Sequence, residues 1–266
     1  MNIIVCVKQV ADPEAPSDSF RLDTNRNVLV PSPQVLKVLN PFDEQAVEAA
    51  LRIKDKSGAR VIALSLGNEL DRVVTKKPVF MGADELILLE DAAFAGGDSW
   101  STAYALVAAI KKIGDYDLIL CGRQAADWNA GQVGLGIAEL LNLPSVTVAK
   151  KIETADGKAK VERVTSNGYE TVEVSLPAVI TVSNEIGEAR YPAVKNIRMA
   201  NKIEPIVWKP ADIGIEPSDA GNKGRRLKLL KLFQPVHEGT CEILEGETME
   251  EMAENLALTL RRAKIL

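Results

Sequence analysis

The chain has 266 residues, 46% of them apolar, and a formal net charge of −5. That length gives one large or two modest domains with enough apolar surface for a core, which excludes a disordered, collagenous or coiled-coil chain. Thirty-two Lys and Arg against 37 Asp and Glu also exclude a general nucleic-acid binder, because phosphate binding needs an excess of cations.

The opening MNIIVCVKQVAD places its apolar run before Lys8, the reverse of a signal peptide, so Met1 is read as the start of the fold and the chain as cytoplasmic. No apolar run of about 18 residues predicts a membrane span. Residues 3–7, 61–64, 86–89 and 118–121 are continuous β-rich apolar runs, and strands apolar on both faces belong in parallel sheets covered by helices. Helical spacing fills the intervals at 43–56 and 99–113 and returns at 132–141, which predicts an α/β fold, doubly wound with right-handed crossovers.

After Pro144 the pattern changes. Residues 146–152, 160–165, 171–174 and 178–182 are β-branched or alternating, and the turns ADGK and SNGY suggest β-hairpin strands added to a mostly parallel sheet. From Asn184 onward, Pro192, Pro205, Pro210, Pro217 and Pro235 interrupt a segment with little periodicity, which reads as an extended C-terminal arm that needs a partner. The expected division is therefore a sheet domain over 1–184 and an arm over 185–266. Residues 195–231 hold nine Lys/Arg and four Asp/Glu, a local +5 that suggests an acidic partner surface or a solvated basic face. Thr248 and Glu251 have the spacing of a capping box, predicting a helix over 248–262 with Arg261 and Arg262 in its last turn.

Three segments carry the candidate chemistry. In LCGRQAADWNAGQVGLG, 120–136, a strand ends, a glycine-rich loop follows and a helix opens, so backbone amides at 131–134 point from the carboxyl end of the sheet where a diphosphate binds; an ordinary glycine-rich turn has the same pattern. Arg123 suits a phosphate and Asp127 a ribose or amide. In VLNPFDEQAVEAA, 38–50, Asn40, Pro41 and Asp43 make a well-formed helix start. In DAAFAGGDSWSTAYALVAAI, 91–110, Asp98 can cap a helix, and Ser99, Ser101 and Thr102 place hydroxyls in its first turn, where an anion binds or a plain N-cap forms.

Acid–base apparatus is sparse. His237 is the only histidine and lies in the arm, so no Ser–His–Asp or Cys–His arrangement fits the sheet crevice, and no spacing suits a metal. Cys6 and Cys121 fall in apolar strands, where thiols are usually inert, and the three cysteines make no disulfide framework. Trp128 sits in the glycine-rich loop, placed to pack on a bound ring or to anchor the loop. Such a chain does its chemistry through a bound cofactor.

Together these segments resemble the β subunit of electron transfer flavoprotein: VCVKQV at 5–10, LNPFDEQAVEAAL at 39–51, MGAD at 81–84, GRQAAD and QVG within 122–134, and LPAVITVSNEIGEARYPAVKNIRMANK at 176–202. The likeness runs in order from Met1 to about Gly214, and the ARYP…NI run is its most specific part. It implies a Rossmann-like domain paired with an α subunit in a heterodimer, around which the arm wraps. The implied nucleotide site comprises Cys6 (through its backbone), Asn40, Asp43, Leu66, Arg123, Gln124, Asp127, Ala130, Gln132, Val133 and Gly134. Residues 189–197 are similar to the loop that docks a flavin-dependent dehydrogenase of the acyl-CoA type, with Arg190, Tyr191, Asn196 and Ile197 beside Val194, which stands at the usual leucine anchor.

Members of this family hold AMP in the β subunit as a structural ligand, or a second FAD when they are electron-bifurcating. AFAGGDSWST is similar to the segment that bifurcating members place beside that FAD and the NAD site, which adds Phe94, Asp98, Ser101 and Thr102 to the implied cofactor contacts. The resemblance thus implies FAD, with NAD(H) as substrate and ferredoxin or flavodoxin as a further partner, electrons reaching the dehydrogenase through the α-subunit FAD. A carrier with structural AMP is the alternative, and a nucleotide-binding sensor is a further one. The basic GRRLKLLK at 224–231 lies outside the likeness.

Overall fold

Continuous apolar runs build one sheet, and helices with an apolar stripe of period 3.6 cover its two faces. The computed structural model describes residues 1–200, 202–235, 239 and 241–266, so His237 lies outside the described residues. In chain order the elements are β1 (Asn2–Val7), β2 (Gln9–Ala11), β3 (Phe20–Asp23), β4 (Val28–Pro31), β5 (Lys37–Leu39), α1 (Pro41–Ser57), β6 (Arg60–Gly67), α2 (Arg72–Thr75), α3 (Lys77–Met81), β7 (Glu85–Glu90), α4 (Ser99–Ile113), β8 (Leu118–Gly122), α5 (Val133–Leu141), β9 (Ser145–Ala155), β10 (Lys158–Thr165), β11 (Gly168–Ser175), β12 (Ala178–Val182), α6 (Val194–Ala200), β13 (Ile206–Trp208), α7 (Gly221–Gly224) and α8 (Met249–Arg262).

Nine strands form the main sheet in the order β11-β10-β9-β12-β8-β1-β6-β7-β13. The run from β9 to β13 is parallel, and β10 and β11 add the antiparallel hairpins that the two turn signals predict. From β1 the chain winds through β6 and β7 on one side, then returns to place β8 on the other. The β1–β8 boundary is therefore the topological switch point, the usual ligand position in open α/β sheets.

Alternation along β1 assigns the layers. Ile3, Val5 and Val7 pack with Val47, Ala50 and Leu51 of α1, while Ile4 and Cys6 pack with Leu106 and Ile110 of α4 and Ile137 of α5. Both faces are covered, which is why the central runs contain almost no polar residue; each fully buried Ile or Leu contributes about 1.5–3 kcal/mol. α1 ends where Gly58 takes a left-handed φ of 70° and donates its amide to Lys54 O.

One compact unit runs Met1–Leu230 and a second Lys231–Leu266. The proline-punctuated segment thus begins on the sheet: Ile206–Trp208 pairs in parallel with Ile87–Leu89, an edge strand that Pro205 and Pro210 conceal from pattern reading. In the second unit the predicted helix forms, with its capping box half closed. Thr248 Oγ1 accepts the Glu251 amide at 3.2 Å, but the Glu251 carboxylate accepts from the Glu247 amide at 2.8 Å rather than from Thr248. No helix of the described residues is long and apolar enough to cross a membrane.

Candidate functional site at the sheet switch point

β1 and β8 lie side by side with Cys6 opposite Cys121, so their carboxyl ends, Lys8 and Gly122, open into one crevice. Asp43, in the first turn of α1, closes its floor. One carboxylate oxygen accepts the Lys8 amide at 2.8 Å and the other the Gly122 amide at 3.1 Å. Burial pushes the Asp43 carboxyl up to about 7, against the opposing effect of its hydrogen bonds from Asn40, Lys8 and Gly122.

Asn40 is fully buried and precedes α1, yet its side chain does not cap the helix. It turns instead to the loop after β8, where Nδ2 donates to Gln124 O at 2.9 Å and Oδ1 accepts the Ala126 amide at 3.1 Å. The NPFD sequence is therefore a clasp: Asn40 holds the glycine-rich loop, and three residues later Asp43 holds the ends of both strands. Gln124 stiffens the same loop by donating to Asn129 Oδ1 at 2.8 Å.

Above the floor, Lys8 Nζ pairs with Asp127 at 2.7 Å, and the Arg123 guanidinium lies 4.8 Å from the centre of the Phe42 ring. Arg123 Nε is buried and has no hydrogen-bond partner among the described residues, a donor that an anionic ligand would satisfy. α5 opens directly after the loop, and its first amides, at Val133 and Gly134, have no partner within the helix. Gly131 enters this helix at φ 63°, and a Cβ on Gly134 would sit 2.8 Å from Thr181 Cγ2, so glycine lets α5 approach β12. A basic side chain, free amides at a helix start and a backbone cradle are the donor set of a phosphate-bearing nucleotide.

The expected residues fall into three groups. Cys6, Asn40, Asp43, Arg123, Gln124, Asp127, Ala130, Gln132, Val133 and Gly134 converge on the β1–β8 crevice, and Leu66 lies beside it in β6. Asn40 and Asp43 are turned to the protein's own backbone. Trp128 is 61% exposed and so does not anchor the loop.

The second group is the 91–102 segment, on the same carboxyl edge beyond β7. Phe94 is buried in the core with Leu64, Leu89 and Ile213. Asp98 and Ser101 form a complete capping box at the start of α4, with the Ser101 hydroxyl facing Asp98 and only 1% of the residue exposed. Asp98 also accepts the amides of Arg226 and Leu227, each at 2.8 Å. Burial raises its pKa and these backbone bonds outweigh that effect, holding the carboxyl below its usual range. Thr102 is half-buried in the first turn.

The third group is the 189–197 run. Arg190 donates to Glu48 at 2.7 Å and to Asp55 at 2.8 Å, and Asn196 Nδ2 donates to Met81 O at 3.2 Å. These two residues fasten the run to α1 and α3. Tyr191 is 93% exposed, Val194 69% and Ile197 38%, an apolar set presented outward. Burial would raise the Glu48 carboxyl, but hydrogen bonds from Arg190 and Arg52 hold it below its ordinary value.

Sequence reasoning missed Lys8, Phe42 and Gly122. Lys8 and Gly122 carry a positional signal, at the carboxyl ends of β1 and β8, whereas Phe42, the second residue of α1, meets Gly122 and Arg123 only in the folded chain. Among the described residues, no cluster of three or more His, Cys, Asp or Glu could hold a metal ion.

With this geometry in place, comparison with known proteins gives the family. The electron transfer flavoprotein domain matches residues 29–213. The chain is 37% identical to the caffeyl-CoA reductase–Etf complex subunit CarD of Acetobacterium woodii and 38% identical to the electron transfer flavoprotein subunit beta of Thermoanaerobacterium thermosaccharolyticum, over the full length of both chains in each case. It is 36% identical to the electron transfer flavoprotein subunit beta of Clostridium acetobutylicum over 95% of each chain. The chain thus belongs to the electron transfer flavoprotein family, as a β-type subunit that serves electron transfer.

Proposed function

We propose that this chain is the β subunit of an electron-bifurcating electron transfer flavoprotein. In this reading it holds FAD in the β1–β8 crevice, works in the cytoplasm with an α subunit carrying another FAD, exchanges electrons with NAD(H) and with ferredoxin or flavodoxin, and serves a flavin-dependent dehydrogenase or reductase. A caffeyl-CoA reductase complex, from which one relative takes its name, is a partner of this kind.

The observation that carries FAD over AMP is the position of the 91–102 segment. It lies on the same carboxyl edge as the 122–134 loop, and α4 and α5 pack so closely that a Cβ on Gly136 would sit 2.9 Å from Ala103 Cβ. A second wall beyond the adenylate loop suits a dinucleotide. When bound, a flavin supplies two-electron exchange with a nicotinamide and one-electron exchange with carriers.

The chain's own residues bind and orient. Arg123 Nε and the first amides of α5 would hold phosphate oxygens, while Asn40 and Asp43 keep the loop and strand ends in register. Lys8 and Asp127 neutralise each other at the mouth, so Arg123 dominates the local charge. No side chain of the crevice has to act as acid or base. The 189–197 run is the docking loop for the dehydrogenase, and residues 185–266 as a whole supply the contacts to partner chains.

The test is the flavin and AMP content of the purified αβ complex after denaturing release. Two FAD and no AMP per heterodimer supports the reading. One FAD and one AMP replaces it with a carrier that holds AMP as a structural ligand.

A further inference from the structure

The basic stretch after Gly214 is absorbed by neither the fold nor the cofactor site, and the structure gives it a position. Gly221 has φ 51°, and a Cβ there would lie 2.2 Å from Ala93 O, so only glycine permits this approach. Asn222 donates its amide to Ala95 O at 2.8 Å, and the Arg226 and Leu227 amides both go to Asp98. The Arg226 guanidinium stacks 3.5 Å from the centre of the Trp100 ring. Residues 221–227 are thus sewn along 93–100, the outer wall of the proposed dinucleotide crevice.

Lys223, Arg225, Arg226 and Lys228 lie within six positions, and no Asp or Glu occurs from 220 to 230. None of the four makes an ion pair with a described residue. Leu227 is 63% exposed and Leu230 83%, interleaved with the cations. Removing these four charges from a net of −5 leaves −9 on the rest of the chain. Extended polyanions such as nucleic acid or an anionic membrane would meet that repulsion, whereas a small protein with an acidic face would meet only the strip.

We propose that residues 221–230 are a docking strip for a small acidic one-electron carrier protein. This inference rests on the electron-transfer reading above, and it places the carrier against the wall that separates the crevice from solvent. Electron-transfer encounters are small, weak and steered by charge, and four cations without an ion-pair partner around three exposed leucines, Leu227, Leu229 and Leu230, fit that type of interface. Asp98 and Trp100 hold the backbone and Arg226 in place, so the strip meets its partner in a set shape.

The test measures association of the intact αβ complex with a purified acidic ferredoxin by biolayer interferometry at low and at near-physiological ionic strength. Lys223→Gln/Arg225→Gln/Lys228→Gln is compared with wild type and with Lys56→Gln/Lys111→Gln/Lys160→Gln, which removes the same charge from exposed positions elsewhere. The strip variant is expected to bind about tenfold or more weakly at low ionic strength and to lose most of the salt dependence of the wild type, with the second variant close to wild type. Equal binding by all three, an equal loss in both variants, or failure of the strip variant to pair with the α subunit would each overturn the proposal. Flavin and AMP content of the same preparations reads the cofactor assignment separately, since AMP in place of the second FAD would overturn that reading while leaving the binding comparison intact.

Discussion

The carboxylate of Asp43 accepts the backbone amide of Gly122 at 3.1 Å, so a residue at the start of α1 fixes where β8 ends. A Cβ on Gly122 would lie 2.5 Å from the same oxygen and 2.7 Å from the Phe42 carbonyl carbon. One of these neighbours is backbone and cannot rotate aside. Gly122→Ala is expected to destabilise the chain by about 1–3 kcal/mol, as other overpacked sites do, and to weaken nucleotide retention. Urea unfolding midpoints and bound-nucleotide content check both.

The same carboxylate gives a pH dependence whose sign is unusual for an aspartate. Its pKa in the fold is raised from 3.8 to about 7, so between those values the folded state binds the extra proton. Stability from this group is full below the unfolded pKa and falls as pH rises, by about 1.4 kcal/mol per pH unit at most, levelling off above about 7. Asp43→Asn should remove that slope. It should also lower stability at acid pH, because an amide cannot accept both the Lys8 and Gly122 amides. Difference unfolding curves between wild type and variant across pH 4–8 are the measurement.

Arg190 is the fastening of the 189–197 run. Its loss would leave the Glu48 carboxylate, which is only 4% exposed, with Arg52 alone. Arg190→Ala is expected to cost about 1–2 kcal/mol, a value kept low because about a third of the side chain is open to solvent, and to make the run sensitive to limited proteolysis. Since the Glu48 pKa is held down, its contribution is present at neutral pH and lost as pH falls through the folded pKa, so acid should mimic the variant.

Tyr191 and Val194 are largely exposed and bury little in the chain itself. Tyr191→Ala and Val194→Ser should therefore leave the unfolding midpoint unchanged while lowering affinity for the dehydrogenase by about tenfold or more, as loss of a central apolar anchor does. Titration of the αβ complex with that dehydrogenase reads the first effect, and a thermal melt reads the second. A loss of stability equal to that of Arg190→Ala would contradict the assignment.

How much of this was legible in the sequence follows from what each element depends on. β1, β8, α4 and β12 were plain because their residues bury their own apolar pattern on two covered faces, and Asp98 signals its capping role by spacing alone. β13 was hidden because three residues between prolines owe their strand state to the edge of β7 and not to their own composition. β2 to β5 and the short α2 and α3 were missed for a similar reason, each being stabilised by neighbours more than by local preference. In the site, Asn40 and Asp43 read correctly as a helix start, but their partners lie about 80 residues away at Gly122 to Ala126, a contact that only the closed sheet creates. Ser101 carried a polar signal that proved to be spent inside the capping box.

The pairing of β13 with β7 bears on how the chain is made. β7 is complete once residue 90 has left the ribosome, yet the strand that covers its open edge arrives roughly 120 residues later. Through that interval a nascent chain carries an apolar parallel strand with unpaired amides and carbonyls, a template for joining another chain edge to edge. A product ending before residue 206 should accumulate in aggregates even though every strand from β1 to β12 is present. Translation speed and chaperone access across that stretch would then govern the yield of folded subunit.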